Sequence, residues 1–496
     1  MRGSKLVIAL SLSFALGPLG FSQASPPAAQ QHQPARNASP IPNSWKNVPI
    51  PPLQQFKPQE PRRVELPNGM VIFLQEDHEL PLIDGTIRLR GGSRDEPAEK
   101  IGLTSIYGEV WRTGGTASKT GDQLDDCLES RAARVETSGG IDSTFLSWSS
   151  LKEDFDQVFP VVLDLLQHPQ FREDKIALAK HQIDSAISRR NDDVDEIAGR
   201  ESAKLAYGQE NPYARTAEYY TVDAVTREDL LNWHRRVVAP NNMMLGITGD
   251  FDSAAMERKL QEAFDSMPRG ERFASGKIVF HKPTPGIYFV EKSDVNQSEI
   301  SMVDLGIERS NPDYYAVVAM NEILGGGFAS RLFSNLRTKE GLAYSVGGGI
   351  GTAFDHPGII HLGMGTKSGT TARGSDALKQ QVAELIKGGI REVELKRAKD
   401  SILNSFIFEF DSKDKVLAER MRYEFYGYPP NFLELFRAGI EKVTTAEVDR
   451  VARKYLHPEE LAVLVVGNSK GFDRDLSSFG KVTPVNIAIP QKKPGM

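Results

Sequence analysis

Hydrophobic positions follow two different periods along the chain. In segments such as 103–111, 176–187 and 395–406, apolar residues recur three and four positions apart, which predicts helices with one buried face. Short runs rich in β-branched and aromatic residues predict strands at 71–74, 83–89, 145–148, 243–247, 287–290 and 461–466. Strands and helices come in groups rather than in strict alternation. This order favours an α+β fold over a parallel sheet built from βαβ units.

Part of this pattern occurs twice. Residues 172–183 match residues 391–402 at a constant offset of 219, and five of the twelve positions are identical. At the same offset, Tyr207 falls on Tyr426, each followed by glycine. A repeat of this kind indicates two homologous units. We therefore predict two halves, 63–270 and 271–490, each a mainly antiparallel sheet with helices packed on it. They join near 268–285, where proline, glycine and charged residues cluster.

The first residues have the pattern of an export signal. Arg2 and Lys5 precede an apolar stretch at 6–16, and small residues at 22–24 offer a cleavage site, so we predict a signal peptide over 1–24. The alternative is an uncleaved membrane anchor, but the stretch is too short to cross about 30 Å of hydrocarbon, and no later segment is long enough. We expect the protein to be exported, to the periplasm or the medium.

Residues 25–62 are dense in proline, glutamine, alanine and asparagine. Such a composition buries too little apolar area to fold alone, and it predicts a tether. Within it, residues 45–56 carry enough bulky side chains that they could instead lie along the folded body.

Charge and cysteine content exclude several classes of protein. The chain has 60 Lys and Arg against 66 Asp and Glu, for a net charge of −6, and no long basic block, so nucleic acid is not an expected partner. A single cysteine, Cys127, excludes an intrachain disulfide and a cysteine-rich metal site. Because acidic residues flank it and no cation is adjacent, we interpret Cys127 as a buried structural thiol.

Several stretches are similar to one known family. They are Leu-Pro-Asn-Gly at 66–69, Gly-Gly-Ser-Arg-Asp-Glu-Pro at 91–97, Pro-Asn at 240–241, Leu-Phe-Ser-Asn-Leu-Arg at 332–337 and Gly-Leu-Ala-Tyr at 341–344. On these residues, positions 63–475 resemble the insulinase or pitrilysin class of zinc peptidases, the M16 family, of the bacterial processing-peptidase type. The resemblance implies two α+β halves arranged as a clamshell around a peptide chamber. In active members the first half carries the zinc motif H-x-x-E-H, and the second supplies an Arg and a Tyr that contact the substrate.

The first half of this chain departs from that motif. Aligned from its left-hand side, the motif positions hold Ser105, Gly108 and Glu109; aligned from its right-hand side, Glu109 takes the base position, and Ile106 and Val110 take the histidine positions. Both imidazoles are missing in either register. Zinc hydrolysis needs imidazole, thiolate or carboxylate ligands at about 2.0–2.3 Å and an open position for water. We therefore predict that this segment holds no zinc, and the resemblance implies that zinc lies in a partner subunit.

The third zinc ligand of the family should fall near Ser185 or Ala186, where Asp184 is the only acid. The remaining sequence offers no replacement site. No two of the nine histidines are spaced to place two ligands on one helix face, and His181 is alone on its helix. The pair Ser149 and Lys152 matches S-x-x-K, a pattern that a chain of this length contains by chance.

The second half keeps the residues that the first has lost. Arg337 and Tyr344 stand seven positions apart within the resembling stretch. The resemblance implies that Arg337 donates hydrogen bonds to a peptide carbonyl and that Tyr344 places a phenol beside a developing oxyanion. Taken alone, the two are better interpreted as a surface arginine and a core aromatic residue; the agreement of the surrounding stretch with the family favours a substrate-contacting pair instead.

Three consecutive glycines, Gly325, Gly326 and Gly327, precede this stretch. Related non-catalytic subunits use a glycine-rich loop here for substrate entry. The alternative is a helix C-cap and turn.

Three hypotheses follow from these residues. The leading one is an exported, zinc-free subunit, inactive alone, that supports a separate H-x-x-E-H-bearing chain in hydrolysing unfolded peptides. The alternative is a peptide-binding or structural subunit with no role in proteolysis. A hydrolase that uses unrelated residues is disfavoured, because no nucleophile and base emerge from the sequence.

Overall fold

A computed structural model describes residues 58–490, all within one compact unit, Phe56–Met496. The predicted signal peptide and residues 25–57 of the predicted tether lie outside the described residues. At the end of the tether, Glu60 forms an ion pair with Arg420 at 2.7 Å. No helix within 58–490 has the length and apolar character needed to cross a membrane.

The strands are β1 (Arg62–Glu65), β2 (Val71–Glu76), β3 (Leu82–Arg90), β4 (Arg134–Gly139), β5 (Ser143–Leu151), β6 (Met243–Gly249), β7 (Gly286–Glu291), β8 (Gln297–Leu305), β9 (Ile307–Glu308), β10 (Ala343–Ala353), β11 (Pro357–Lys367), β12 (Ala462–Gly467) and β13 (Val482–Pro484). All six predicted runs lie within strands, except that the last run begins one residue before β12; several strands extend up to three residues beyond the predicted run.

The α-helices are α1 (Leu103–Thr113), α2 (Gly121–Glu129), α3 (Phe155–Gln167), α4 (Glu173–Arg189), α5 (Val194–Tyr207), α6 (Tyr219–Asp223), α7 (Arg227–Val237), α8 (Ser253–Phe264), α9 (Tyr314–Leu324), α10 (Thr371–Gly388), α11 (Glu392–Ser405), α12 (Lys413–Tyr426), α13 (Phe432–Lys442) and α14 (Thr445–Tyr455). A π-helix spans Phe333–Lys339. The predicted helical stripes at 103–111 and 176–187 fall on α1 and α4, and 395–406 falls on α11 and the turn that follows it.

Two sheets repeat one topology. The first runs in the order β1-β2-β6-β3-β5-β4 and the second in the order β13-β7-β12-β8-β11-β10-β9. The strands β2-β6-β3-β5-β4 therefore correspond to β7-β12-β8-β11-β10. In both series the first pair is parallel and the other three are antiparallel; β13 and β9 add parallel pairs at the edges of the second sheet. The predicted α+β fold of two homologous halves is confirmed.

Helices of the same half cover one face of each sheet. Along β3, residues alternate between buried and half-buried, as expected for a strand with two different faces. Ile83, Ile87 and Leu89 point into a core shared with Ile106 and Trp111 of α1. A second core of the same kind fills the second half.

The other face of each sheet receives a helix from the opposite half. On the second sheet, Ile197 and Ala198 of α5 pack against Val290, Leu464 and Val466. On the first sheet, three residues of α12 pack against two strand residues: Leu417, Met421 and Phe425 against Phe73 and Met244. We call α5 and α12 the crossover helices. The exchange joins the halves along both sheets, consistent with the predicted clamshell.

Each crossover helix ends in a tyrosine that bonds the hairpin of the opposite half. The Tyr207 hydroxyl donates to the carbonyl of Pro357 at 2.8 Å, at the start of β11. The Tyr426 hydroxyl donates to the carboxylate of Asp142, just before β5. The guanidinium of Arg88 lies 3.6 Å from the ring centroid of Phe425 and holds the same end of α12. These contacts explain why the repeat retains Tyr207 and Tyr426.

A polar cluster also joins the halves at the 91–97 loop. Arg94 donates to Asp355 and to the hydroxyl of Tyr213, both at 2.5 Å. The ring of Tyr213 stacks on His356 with centroids 3.8 Å apart. Burial disfavours the ionised carboxyl of Asp355, but hydrogen bonds from His356 and Arg94 outweigh burial and lower its pKa to about 2. The loop that resembles the family is thus a structural contact between halves.

Candidate functional site

Helix α1 forms where the zinc motif would stand. Its apolar stripe is buried, with Ile106, Tyr107 and Val110 fully inaccessible to solvent. Glu96 caps the start of the helix: its carboxylate accepts hydrogen bonds from the backbone N–H of Gly102 at 3.0 Å and of Thr104 at 2.6 Å. These bonds satisfy N–H groups that have no partner within the helix. The amphipathic helix predicted for this segment is confirmed.

A buried histidine contacts the buried face of α1. The Tyr107 hydroxyl lies 2.8 Å from Nδ1 of His234, and Nε2 of His234 lies 2.9 Å from the carbonyl oxygen of Leu166. Burial lowers the pKa of His234 to about 4, so the ring is neutral near pH 7. Nδ1 then accepts from Tyr107 and Nε2 donates to Leu166. His234 is therefore a structural residue of the core, a role that its position in the sequence did not reveal.

The structure distinguishes the two alignments of the zinc motif. Ile106 and Val110 are both 0% exposed within the core, so the right-hand alignment would place its histidines inside the protein. Ser105 and Glu109, one helical turn apart, are both exposed. Only the left-hand alignment places its two histidine positions on the surface.

The third position of that alignment, Gly108, is closed by the neighbouring strand. A Cβ atom built on Gly108 would lie 2.3 Å from the backbone nitrogen of Gly139 and 2.7 Å from the carbonyl carbon of Ser138, both in β4. A Cβ on Gly139 would likewise lie 2.3 Å from the carbonyl oxygen of Thr104. Helix and strand therefore touch backbone to backbone. A glutamate at 108 has no room while β4 keeps this position.

These residues do not fit a catalytic zinc ion. Ser105 offers a hydroxyl, Gly108 has no side chain, and Glu109 is a single carboxylate. On α4, the Ser185 hydroxyl bonds the carbonyl of His181 in its own helix at 2.9 Å. Since tetrahedral catalytic sites take three protein ligands, the donor set is too small.

Elsewhere in residues 58–490, one group of three His, Cys, Asp or Glu side chains brings its ligand atoms within 4.8 Å of one another: His457, Glu459 and Glu460. This group lies in the loop after α14, remote in sequence from α1. Lys152, of the S-x-x-K match, forms an ion pair with Asp250 at 2.9 Å.

Cys127 differs from its predicted environment. It is half-buried rather than buried, and a guanidinium nitrogen of Arg131 lies 3.7 Å from its Sγ. This cation stands four positions after Cys127 in the sequence, beyond the end of α2, and is therefore not among its adjacent residues.

The structure brings Arg337 and Tyr344 together. Arg337 lies on the π-helix, and Tyr344 lies where the register of β10 shifts between Ala343 and Ser345. The guanidinium carbon of Arg337 is 5.8 Å from the centroid of the Tyr344 ring and 4.8 Å from that of Phe333. Tyr344 is 78% exposed, which excludes a core role for its ring. Both side chains are thus available to a ligand.

Two aromatic residues that the sequence analysis missed complete this surface. Phe328 is 81% exposed, and its ring meets that of Phe333 edge-on with centroids 4.8 Å apart. We define the aromatic–arginine patch as Phe328, Phe333, Arg337 and Tyr344. The available signal was a large apolar residue directly after a glycine run, where a turn favours small or polar residues.

The glycine run shapes the turn before this patch. Gly325 is the C-cap of α9, so the helix-end interpretation is confirmed. A Cβ on Gly325 would lie 2.4 Å from the carbonyl oxygen of Gly348 in β10, and one on Gly326 would lie 2.7 Å from the carboxylate of Glu322. Gly327 is open, with its nearest atom at 3.7 Å. The run therefore permits close packing of α9 on β10, and its role in substrate entry stays a prediction.

Comparison with known families agrees with this geometry. The family model described as "Insulinase (Peptidase family M16)" matches residues 77–216, and the one described as "Peptidase M16 inactive domain" matches residues 224–402. The chain belongs to peptidase family M16. It is an M16 chain in which the H-x-x-E-H sequence is absent.

Individual relatives of this M16 chain are distant but cover most of it. A "non-peptidase homolog YmxG" of Helicobacter pylori is 24% identical over 80% of this chain and 92% of that protein. An "uncharacterized zinc protease YmxG" of Bacillus subtilis is 21% identical over 82% of this chain and 98% of that protein. The names of these relatives thus include both a peptidase and a non-peptidase.

Solved structures show the same fold. A peptidase M16 inactive domain from Pseudomonas fluorescens matches with a TM-score of 0.74 and 24% identity, over 83% of this M16 chain and 98% of that chain. A protease from Helicobacter pylori matches with a TM-score of 0.73 and 17% identity, over 83% and 100% of the two chains.

Proposed function

We propose that this M16 chain is an exported subunit, zinc-free and inactive alone, that binds unfolded peptides beside the active site of a separate H-x-x-E-H-bearing M16 chain. The contrast between its two candidate regions carries the proposal. At α1, Gly108 is closed by β4 and no ligand set exists. At β10, Arg337 and Tyr344 lie side by side and exposed.

The chemistry assigned to the second region follows from its donors. Arg337 is exposed and its guanidinium lies against the rings of Phe333 and Tyr344, so it can offer a fork of hydrogen bonds to a peptide carbonyl. The phenol of Tyr344 can donate to an oxyanion that develops as the peptide carbonyl is attacked. Phe328 and Phe333 offer apolar surface to neighbouring substrate side chains. The zinc-dependent step belongs to the partner.

Export is part of the proposal and rests on the sequence of residues 1–24. It is tested separately, by N-terminal sequencing of the protein recovered from the periplasm or the medium. A first residue near Ser25 supports cleavage of a signal peptide. Recovery only from the cytosol, with Met1 intact, contradicts it.

The central experiment uses the purified chain with a candidate M16 partner from the same organism. We expect the chain alone to contain almost no zinc by mass spectrometry, and to show no peptidase activity. In the reconstituted pair, Arg337→Ala should lower kcat/KM about 10- to 100-fold, the scale for loss of hydrogen bonds from a charged donor to the bound peptide. Complex formation, measured by ultracentrifugation, should not change.

Two variants sharpen this test. Lys339→Ala is the matched control, because Lys339 lies on the same π-helix and its amine bonds Asn335 at 2.8 Å rather than facing the patch. Tyr344→Phe retains the ring and removes only the phenol. One zinc ion held per chain would overturn the zinc-free assignment. Equal turnover by wild type and Arg337→Ala would overturn the role of the arginine.

A second candidate is a peptide-binding subunit with no part in proteolysis. The aromatic–arginine patch favours it, because the patch is complete within this chain and needs no partner. An extended peptide that binds the isolated chain and is weakened by Phe328→Ser, together with the absence of any copurifying M16 chain, would support this function over the first.

A further inference from the structure

A cavity of about 670 Å³ lies between the crossover helix α12 and the face of the first sheet that this helix covers in part. Its floor is made by β3, β5 and β6, and its sides by α12 and the edge strand β4. Cavities of this size are typical of sites for small ligands and short peptides. Its lining residues include none of the aromatic–arginine patch.

Helix α12 runs in the same direction as β3. At the start of the helix, the amine of Lys413 bonds the carbonyl of Glu76 at 2.9 Å, where β2 ends beside the beginning of β3. At the end of the helix, the ring centroid of Phe425 lies 3.6 Å from the guanidinium carbon of Arg88, near the end of β3. The start of α12 and the start of β3 therefore form one end of the cavity, and their last turns and residues form the other.

The first end of the cavity is acidic. Asp84 of β3 and Asp414 of α12 both line the cavity there. The residues paired with Asp84 on the neighbouring strands are uncharged, Ser149 on β5 and Thr248 on β6. Two carboxylates beside two hydroxyls suit an ammonium group, which has three N–H donors and no acceptor.

The middle of the cavity is open because the side chains of its floor are small. Thr86 of β3 pairs with Ser147 of β5 and with Gly246 of β6. A Cβ atom built on Gly246 would lie 2.2 Å from Sδ of Met421, so α12 rests on β6 and leaves the space over β3 and β5. Met421 and Leu417 give this part of the cavity an apolar wall.

The other end of the cavity is basic. Arg88 and Arg422 line the cavity there, and Nε of Arg88 already donates to the hydroxyl of Ser143 at 2.9 Å. Arg422 forms an ion pair with Glu419 through one guanidinium nitrogen at 2.6 Å, and its side chain is exposed. Because a guanidinium carries five N–H donors, Arg422 can still bind a carboxylate.

Other charged groups near the cavity do not reverse this polarity. The amine of Lys413 is held by Glu76 and lies 3.3 Å from the carboxylate of Asp77. On the edge strand β4, Arg134 and Glu136 add one charge of each sign, and both are exposed.

We propose that this cavity binds a short peptide with free ends, with its ammonium group at Asp84 and Asp414 and its carboxylate at Arg422. Asp414 and Arg422 are eight residues apart on α12, a separation of about 12 Å at 1.5 Å per residue. An extended chain spans at most about 3.3–3.6 Å per residue, so a peptide of about four residues reaches from one end to the other. The inference rests on α12 and the first sheet and does not require the proposed function.

The test is isothermal titration calorimetry of the whole protein with the tetrapeptide Ala-Leu-Leu-Ala, free, N-acetylated or C-amidated. Blocking either end should weaken binding at least about tenfold, the scale for a hydrogen bond to a charged group. Asp84→Asn should weaken binding of the free peptide as much as acetylation does and should not weaken the acetylated peptide further. Arg422→Gln should show the same relation with the amidated peptide, because each pair of changes removes one shared contact.

Two further variants locate the binding. Asp411→Asn is the matched control, because Asp411 lies just before α12, outside the cavity, and pairs with Lys415 at 2.7 Å. It should bind like wild type. Ser147→Leu fills the middle of the cavity and should abolish binding.

Three outcomes would overturn the inference. They are an absence of binding heat with the free peptide, equal affinity for the free and the doubly blocked peptides, and binding that is lost in Arg337→Ala but kept in Asp84→Asn. The last result would place the tetrapeptide at the aromatic–arginine patch and leave the proposed function intact. If circular dichroism shows that Asp84→Asn does not fold, Asp414→Asn carries the same test.

Discussion

Helix α1 packs on β4, and the π-helix packs on the corresponding strand of the second sheet, β10. We call the first region the closed edge and the second the open edge, because they differ in how far their side chains are exposed. At the first edge, α1 touches β4 at Gly108, and its motif positions hold a hydroxyl, a hydrogen and one carboxylate. At the second edge, a register shift in β10 turns Tyr344 outward beside Arg337. One edge is closed by backbone packing while the other displays long side chains. Loss of the zinc ligands is accompanied here by loss of the space that the motif's glutamate would need at position 108.

The largest loss of stability should come from adding a side chain at Gly108, where α1 touches β4. In Gly108→Ala the added Cβ would lie 2.3 Å from the backbone of β4, so helix or strand must shift. We expect a loss of more than about 3 kcal/mol in the free energy of unfolding, measured with urea, because overpacking against rigid backbone is costly. Gly327→Ala is the matched control, since its nearest atom is 3.7 Å away. Equal stability of the two variants would contradict the closed edge.

Low pH should destabilise the protein at the closed edge, because it protonates the buried ring of His234. Burial lowers the pKa of His234 to about 4 from its ordinary 6.5, so the fold favours the neutral ring. Stability from this group is complete above about pH 6.5 and is lost as pH falls toward 4, by up to about 3 kcal/mol. The measurement is the difference in the free energy of unfolding between wild type and His234→Gln across pH 4 to 7, since the titration of other groups cancels in that difference. A constant difference would show that His234 does not titrate in this range.

A smaller loss of stability is expected when the hydroxyl of Tyr107 is removed from the buried face of α1. Tyr107→Phe removes the hydroxyl that donates to Nδ1 of His234 and leaves a buried acceptor unsatisfied. The expected cost is about 1–2 kcal/mol in thermal or urea unfolding. Trp111→Phe, which removes a hydrogen bond to Leu165 at 2.8 Å together with ring volume, gives a reference for truncation in the same helix. An unchanged free energy of unfolding in Tyr107→Phe would mean that the hydrogen bond between Tyr107 and His234 does not stabilise the fold.

The smallest change in stability should come from a substitution in the aromatic–arginine patch, at the open edge. Phe328→Ser removes a side chain that is 81% exposed, and we expect stability to change by less than about 0.5 kcal/mol. Peptide binding, measured by fluorescence anisotropy with a labelled extended peptide, should weaken even so. Stability that falls as much as in Gly108→Ala would show that the aromatic–arginine patch is part of the core and not a binding surface.

The sequence predicted what depends on local pattern. Helix α1 and the strand at 83–89 follow from spacing within a few residues, and the offset between Tyr207 and Tyr426 indicated two halves. The closure at Gly108 was not predictable, because it depends on a strand that passes some 30 residues later. Helices α5 and α12 have ordinary patterns, and nothing local in them specifies that each covers the sheet of the other half. Phe328 was missed because a glycine run indicates a turn, and a large apolar residue directly after that run does not show by itself that its ring is exposed.

The exchange of α5 and α12 sets the order in which the protein can be completed. Arg88 and its partner Tyr426 are 338 residues apart in the chain. The last strand of the first sheet ends at Gly249 and α12 ends at Tyr426. At roughly 5 to 20 residues per second of ribosomal synthesis, the completed sheet therefore exists for about 10 to 35 seconds before the helix that covers Phe73 and Met244 is made. A nascent chain that stops before Lys413 therefore displays an apolar patch to chaperones and proteases. Only a chain that includes α12 covers this patch, so truncated and full-length products differ in the apolar surface that they expose.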